Sequence, residues 1–278
     1  MTILITGATG LLGPYLVAAA GVLGSVATSS RSDGDQSCDL TNADATARLI
    51  QRTDPSVVVH AAAWTDVDGC EEDPDRAFAV NRDSAANLVR VLDSKSLLIY
   101  ISTDQVYPDS RGMHREGDES PVNTYGRSKL AGEQTALEHP SALVLRTNFF
   151  GPSQTSSRQS LSDFVDVNLR NGNAITLFED VLFSPLHLET LAGLVVETAR
   201  NGLAGVFNLG SREGASKADF AFIVARQLGL STTSARRGKS TDIAGRAARP
   251  SDLRLDVSRI EAALGRAMPT LSEEVAKL

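Results

Sequence analysis

The stretch Thr2-Ile3-Leu4-Ile5-Thr6-Gly7-Ala8-Thr9-Gly10-Leu11-Leu12-Gly13 decides the fold. An apolar run ends in a G-x-x-G-x-x-G pattern, and a segment with apolar residues at helical spacing, Leu11 to Leu23, follows at once. Strand, glycine turn and helix in that order are the context in which such a pattern binds a dinucleotide. Gly7 permits the tight turn, Gly10 lets the backbone approach a pyrophosphate, and Gly13 lets the helix pack closely on the sheet. Backbone N–H groups around Thr9, Leu11 and Leu12 and the helix dipole then attract the anion.

Working outward, the same kind of run recurs at Val57-Val58-Val59, Leu97-Leu98-Ile99-Tyr100-Ile101 and Leu143-Val144-Leu145. These runs are continuous rather than alternating, as expected of strands buried on both faces of a parallel sheet. Helical patterns at Ala43 to Gln51, Pro74 to Leu92 and Tyr125 to Leu137 supply the crossovers that parallel strands require. The expected class is α/β, a Rossmann doubly wound parallel sheet with a smaller C-terminal lobe. Residues 1–150 read as the NAD(P)-binding domain. Residues 151–278 read as mainly a substrate-binding lobe, interleaved with the core around 175–210, where helix 187–200 leads into the run Val206-Phe207-Asn208-Leu209. The polar stretch Ser153-Gln154-Thr155-Ser156-Ser157 reads as a loop.

Cofactor choice turns on the end of the second strand, Ser25 to Thr28, which runs into Ser29-Ser30-Arg31. An acidic side chain there would bind the ribose 2′-hydroxyl of NAD, whereas arginine suits the 2′-phosphate of NADP. Arg31, with Ser30 as a second contact, favours NADPH over NADH, although Asp33 and Asp35 stand close by.

The chain carries 27 Lys+Arg against 34 Asp+Glu, a net charge of −7, which repels nucleic-acid phosphates. Nucleic acid is therefore not an expected partner. Cys38 and Cys70 have no zinc or redox spacing and read as reduced thiols. The apolar N-terminus lacks a Lys or Arg before Arg31 and is broken by Gly7, Gly10, Gly13 and Pro14, so it does not read as a signal peptide. No run approaches the roughly 20 apolar residues of a membrane helix. A cytoplasmic protein without a membrane partner is expected.

Tyr125-Gly126-Arg127-Ser128-Lys129 places a phenol and an amine four residues apart on one helix face. A nearby ammonium is expected to lower the phenol's pKa from about 10, so that Tyr125 can exchange a proton with a carbonyl oxygen near neutral pH. Thr103, in Ser102-Thr103-Asp104, follows the strand Leu97 to Ile101 and would place its hydroxyl at the same sheet end to hold that oxygen. The blander alternatives are an exposed helical pair and a turn-capping threonine.

Together these motifs resemble the extended short-chain dehydrogenase/reductases, most closely the dTDP-4-dehydrorhamnose reductase branch. The likeness spans nearly the whole chain. It rests on the glycine loop, Cys38-Asp39-Leu40-Thr41, Pro55 to Asp68 with His60-Ala61-Ala62-Ala63-Trp64-Thr65-Asp66, and Phe78-Ala79-Val80-Asn81. Further matches are Ser102 to Tyr107, Tyr125 to Glu133, Leu145-Arg146-Thr147 and Arg249-Pro250. The resemblance implies Asp39 and Leu40 near adenine, Ala61, Ala62 and Ala63 along the cofactor, and Lys129 also at the nicotinamide ribose, with Tyr125 beside it. It implies a nucleotide-diphosphate sugar as substrate, a 4-keto-6-deoxyhexose reduced by hydride. Asp104, next to Thr103, is a further candidate substrate contact, and Trp64, just after the third strand, is a candidate either for lining the substrate cleft or for packing. Arg249 and Arg254 lie in a basic stretch, Arg236 to Arg254, and are candidates for a diphosphate clamp or for a solvated basic loop.

Departures from the branch accompany the likeness. Asp180-Val181-Leu182-Phe183-Ser184-Pro185-Leu186 replaces an acid-amide-aromatic-glycine stretch and removes polar substrate contacts. Asn148-Phe149-Phe150 stands where a tryptophan is usual, so an aromatic wall would be Phe149. Pro14-Tyr15 replaces the acidic residue through which some members bridge dimers with magnesium; no metal is expected there, and a homodimer remains open. Asp104-Gln105 lacks the second carboxyl group that related dehydratases use, and an amide cannot serve as that base. Two alternatives stay open: a nucleotide-sugar epimerase, and a non-catalytic protein resembling the regulatory subunit of methionine adenosyltransferase. His60, His114, His139 and His187 read as structural or surface residues, His187 being the best exception because it opens a helix near the lobe.

Overall fold

A computed structural model describes residues 1–31, 36–155 and 158–278. Asp33, Asp35, Ser156 and Ser157 therefore lie outside the described residues. Seven parallel strands form the main sheet in the order Gly205–Leu209, Ala142–Thr147, Leu97–Thr103, Val57–His60, Thr2–Thr6, Ser25–Ser30 and Gln36–Ser37. The order reverses at Thr2–Thr6, and a ligand cleft is expected beyond the carboxyl ends at such a switch.

The continuous apolar runs have the cause inferred for them, because each strand buries alternate residues into two different cores. Ile3, Ile5, Val59, Ile99, Leu145 and Phe207 face one layer, which includes Leu16, Leu191 and Ile260 from helices Gly13–Ala20, Leu188–Arg200 and Ser258–Leu264. Leu4, Val58, Leu98, Tyr100 and Val144 face the other, with Leu49 and Leu88 from helices Ala43–Thr53 and Ser84–Val91. Each such side chain contributes about 1.5–3 kcal/mol on burial. A separate lobe core gathers Phe150, Val165, Phe183, Phe220, Val224 and Leu253 around helices Leu161–Arg170 and Lys217–Gln227.

Several elements differ from the sequence expectation. The first helix spans Gly13–Ala20 rather than Leu11 to Leu23, because Gly10 N–H bonds back to Gly7 O at 2.9 Å and Gly13 N–H to Gly10 O at 3.2 Å, holding Leu11 and Leu12 in turns. The segment expected as one helix from Pro74 to Leu92 is helical at Pro74–Phe78, widens to a π turn at Ala79–Asp83, and resumes at Ser84–Val91. In that turn the Tyr100 hydroxyl donates to Asn81 O at 2.7 Å, and the Asn81 side chain bonds both the Trp64 backbone and Ser128. A side chain inserted into the helical ladder is a recognised cause of such widening.

Gly205–Leu209 pairs in parallel with Ala142–Thr147, so a strand from the later half of the chain completes the first half's sheet. The remaining strands are short: Phe149–Phe150 pairs with Leu186–His187, Leu182–Phe183 lies between Ala215–Ser216 and Asp252–Leu253, and Ile175–Phe178 pairs with Ala235–Gly238. Among the described residues no helix is long and apolar enough to cross a membrane.

Candidate active site

Two adjoining cavities, of about 380 and 190 Å³, open beyond the strand ends. They share Gly7, Gly10, Ala61, Ala63 and Arg158, and so form one elongated cleft. Gly7 adopts φ +71°, and a Cβ there would sit 2.6 Å from Ala62 N, so the turn requires glycine. At Gly13 a Cβ would strike the Ala8 backbone; its smallness closes the loop on itself, not only the helix on the sheet.

The smaller cavity is lined by Thr9, Ser29, Ser30, Arg31, Asp39, Leu40 and Ala62 in addition to the shared residues. Asp39 is turned inward on its own loop, accepting from Thr41 N–H at 3.0 Å and Thr41 Oγ1 at 2.8 Å. Ser29 Oγ is buried with no hydrogen-bond partner among the described residues. A groove lined by a glycine turn, an exposed arginine and an orphaned hydroxyl fits an adenosine phosphate.

Thr103, Tyr125 and Lys129 converge on the larger cavity, joined by Leu11, Leu12, Gly13, Thr65, Asp104, Gln105, Asn148, Phe149 and Gln159. Helix Thr124–Ala136 carries the phenol and the amine, with Asn123 as N-cap: its side chain accepts from Gly126 N–H at 2.7 Å. A Cβ at Gly126 would overlap the Gln105 carbonyl oxygen, so this glycine lets the helix press against the turn after Thr103.

Tyr125 is buried and hydrogen-bonded to Thr103, and burial drives its pKa up, against the partial relief of that bond. The expected lowering by Lys129 is not what the structure shows. The Lys129 ammonium instead donates to Ile101 O at 2.7 Å and lies 4.0 Å from the centre of the Tyr100 ring. Burial lowers the Lys129 pKa to about 7, with Glu133, one turn further along the helix, opposing the fall. Burial raises Asp104 to about 6, opposed by Asn148, whose amide donates to it at 2.7 Å, by Lys217 and by Thr103. His60, buried between Thr6 and Ser84 at 2.8 and 3.0 Å, is held at about 3 by burial and by Lys129, and is therefore a neutral structural group.

Other candidates fall outside the two linings. Trp64 packs with Cys70 and Val67, and Arg76 stacks 4.3 Å over its ring. Arg254 forms a two-point pair with Asp252, at 2.9 and 2.7 Å. Arg249 pairs with Asp68 at 2.8 Å, tying the basic stretch to the Rossmann half. Asn123 accompanies that tie by donating to Ala248 O at 2.9 Å and to Gln105 Oε1 at 3.1 Å.

Two residues near the cleft carry no motif that sequence reasoning could use. Lys217, at the start of the lobe helix, is half-buried and interacts electrostatically with Asp104, Arg246 and Arg249; burial lowers its pKa. Arg158 lines both cavities from the loop before helix Leu161–Arg170. Only the folding of the lobe against the sheet brings either residue near Thr103.

Comparison with known proteins agrees with this geometry. A reductase of Haloferax volcanii described as a probable low-salt glycan biosynthesis reductase is 33% identical, covering 99% of this chain and 96% of its own. The β subunit of methionine adenosyltransferase 2 from Bos taurus is 30% identical over 93% of this chain and 81% of its own. The crystal structure of a dTDP-4-dehydrorhamnose reductase from Clostridium acetobutylicum superposes with a TM-score of 0.91 at 25% identity, covering 100% of this chain and 98% of that one. The family model described as the RmlD substrate binding domain matches residues 1–278, and the chain belongs to that family, within the extended short-chain dehydrogenase/reductases.

Proposed function

We propose that this protein is an NAD(P)H-dependent ketoreductase that reduces the 4-keto group of a nucleotide-linked 6-deoxyhexose. The observation that carries the reading is the convergence of Thr103, Tyr125 and Lys129 in one half of a cleft whose two halves meet at the glycine loop. A bound dinucleotide would supply hydride to the carbonyl carbon. Gly7 to Gly13, Ala61 to Ala63, Asp39 and Leu40 would hold it, and Arg31 with Ser30 would favour NADPH over NADH through the 2′-phosphate.

The side chains then manage the oxygen and its proton. Thr103 Oγ1 can hold the carbonyl oxygen, and Tyr125, kept protonated by its buried setting, can donate its phenolic proton as the oxygen gains charge. The product is the alcohol, and the phenolate regains a proton from solvent. Lys129, moved off the Ile101 carbonyl, would stabilise that phenolate and reach a ribose hydroxyl. Asp104 and Phe149 would contact the sugar, and Lys217, Arg246 and Arg249 would face its diphosphate.

The likeness to a methionine adenosyltransferase subunit named as β favours a second reading, a binding protein without turnover. Steady oxidation of NADPH by purified protein with 4-keto nucleotide sugars separates the two. Tyr125→Phe is expected to lower kcat on the order of a hundredfold or more, since it removes a general acid. An unchanged rate in that variant would refute the proton-transfer assignment.

A further inference from the structure

Arg158 is the one charged residue, among those described, that lines both halves of the cleft. The other residues common to the two linings are Gly7, Gly10, Ala61 and Ala63, all small and uncharged. In a doubly wound fold the junction between the adenosine and nicotinamide halves is where the pyrophosphate lies, against the glycine loop. The glycine loop supplies that junction from the sheet side, and Arg158 approaches from the lobe, three residues before helix Leu161–Arg170. Its side chain is exposed, and no carboxylate pairs with it among the described residues. A guanidinium held by no carboxylate, with five donors in a planar fork, is suited to phosphate oxygens.

We propose that Arg158 is a cofactor-binding residue that grips the dinucleotide pyrophosphate from the lobe side, opposite the glycine loop. The inference rests on the reading that this cleft holds a dinucleotide. It separates the two exposed arginines by role: Arg31 lines only the adenosine half, where a 2′-phosphate would lie, whereas Arg158 sits at the part common to NADH and NADPH. A second diphosphate, that of the sugar nucleotide, is the competing source of the same chemistry.

The test is calorimetric titration of the full chain with NADPH, NADH and thymidine diphosphate, using wild type, Arg158→Ala, Arg158→Gln and Arg31→Ala. Loss of one charge-assisted contact is expected to raise Kd for NADPH and NADH by the same factor, about tenfold, in both Arg158 variants. Thymidine diphosphate binding is expected to stay within twofold, and Arg31→Ala to weaken NADPH alone. Dinucleotide affinities within twofold of wild type in the Arg158 variants would overturn the assignment. So would a loss confined to NADPH, or one confined to thymidine diphosphate. Failure of the wild-type protein to bind either dinucleotide would instead remove the cofactor reading on which the inference stands. Because Arg158 is exposed and makes no ion pair among the described residues, the variants are expected to keep the wild-type thermal midpoint.

Discussion

Lys129 and Asp104 are both buried ionisable groups at the same cleft, and burial moves them toward each other: the amine down to about 7, the carboxyl up to about 6. The signs predict the shape of the pH profile. Above about 7 the free enzyme loses the Lys129 charge, so kcat/KM for the dinucleotide is expected to fall as pH rises through that value. Below about 6 Asp104 is protonated and loses acceptor capacity, so kcat/KM for the sugar nucleotide is expected to rise as pH increases through about 6. Because Glu133 opposes the fall of the Lys129 pKa, Glu133→Gln is expected to move the alkaline limb to lower pH; because Lys217 opposes the rise at Asp104, Lys217→Met is expected to move the acid limb to higher pH. Limbs that stay in place in both variants would show that other groups titrate. At this scale the sequence singled out Thr103, Tyr125 and Lys129 as candidates, and they line one cavity, but it did not give their protonation states. The Tyr125 phenol was expected to be lowered by its neighbour, yet its depth in the cleft dominates, and that depth arises from how the helix packs on the Gln105 turn.

The element that carries Tyr125 and Lys129 is fixed by a buried ion pair. Arg146, at the end of strand Ala142–Thr147, reaches Glu133 through Nε at 3.1 and 3.0 Å and through Nη2 at 2.6 Å, and Ser102 donates to the same carboxylate. The guanidinium also donates to the Tyr107 hydroxyl at 3.0 Å and to Glu116 O at 2.8 Å, so helix, two strands and a loop meet at one point. Removing one partner of such a pair leaves an uncompensated buried charge, which costs more than the pair itself contributes. Arg146→Met is expected to lose about 3–5 kcal/mol in urea unfolding, with much of the loss recovered in the Arg146→Met, Glu133→Leu double variant. A double variant no more stable than the single would contradict this account. Elements buried on both faces were legible in the sequence because each strand is apolar throughout. The π turn at Ala79–Asp83 was not, since its cause is the Tyr100 hydroxyl, 19 residues away in sequence. The lobe's strands were not legible either; pairs such as Leu182–Phe183 and Ala215–Ser216 are too short to show a period.

For the whole molecule, the charge distribution matters more than its sum. A chain of net charge −7 should repel a nucleotide-diphosphate sugar, yet Lys217, Arg246 and Arg249 lie near enough to interact electrostatically, and Lys217 also interacts with Asp104, which lines the larger cavity. Arg249 is partly neutralised by Asp68, which leaves Lys217 and Arg246 as the less compensated charges. A local positive field within an acidic surface acts over short range, and salt screens it: the Debye length falls from about 30 Å at 0.01 M to about 8 Å at 0.15 M. Two opposed effects follow, because salt also weakens the general repulsion. The charges nearest the substrate interact with it most strongly at low salt, so kcat/KM for the sugar nucleotide is expected to fall several-fold between those ionic strengths. Arg246→Ser, which removes one of those charges, should flatten the dependence, whereas an arginine elsewhere, such as Arg170, paired with Asp166 on the lobe surface, should not affect it. A rise in kcat/KM with salt would mean that the overall charge, not the basic cluster, governs the encounter.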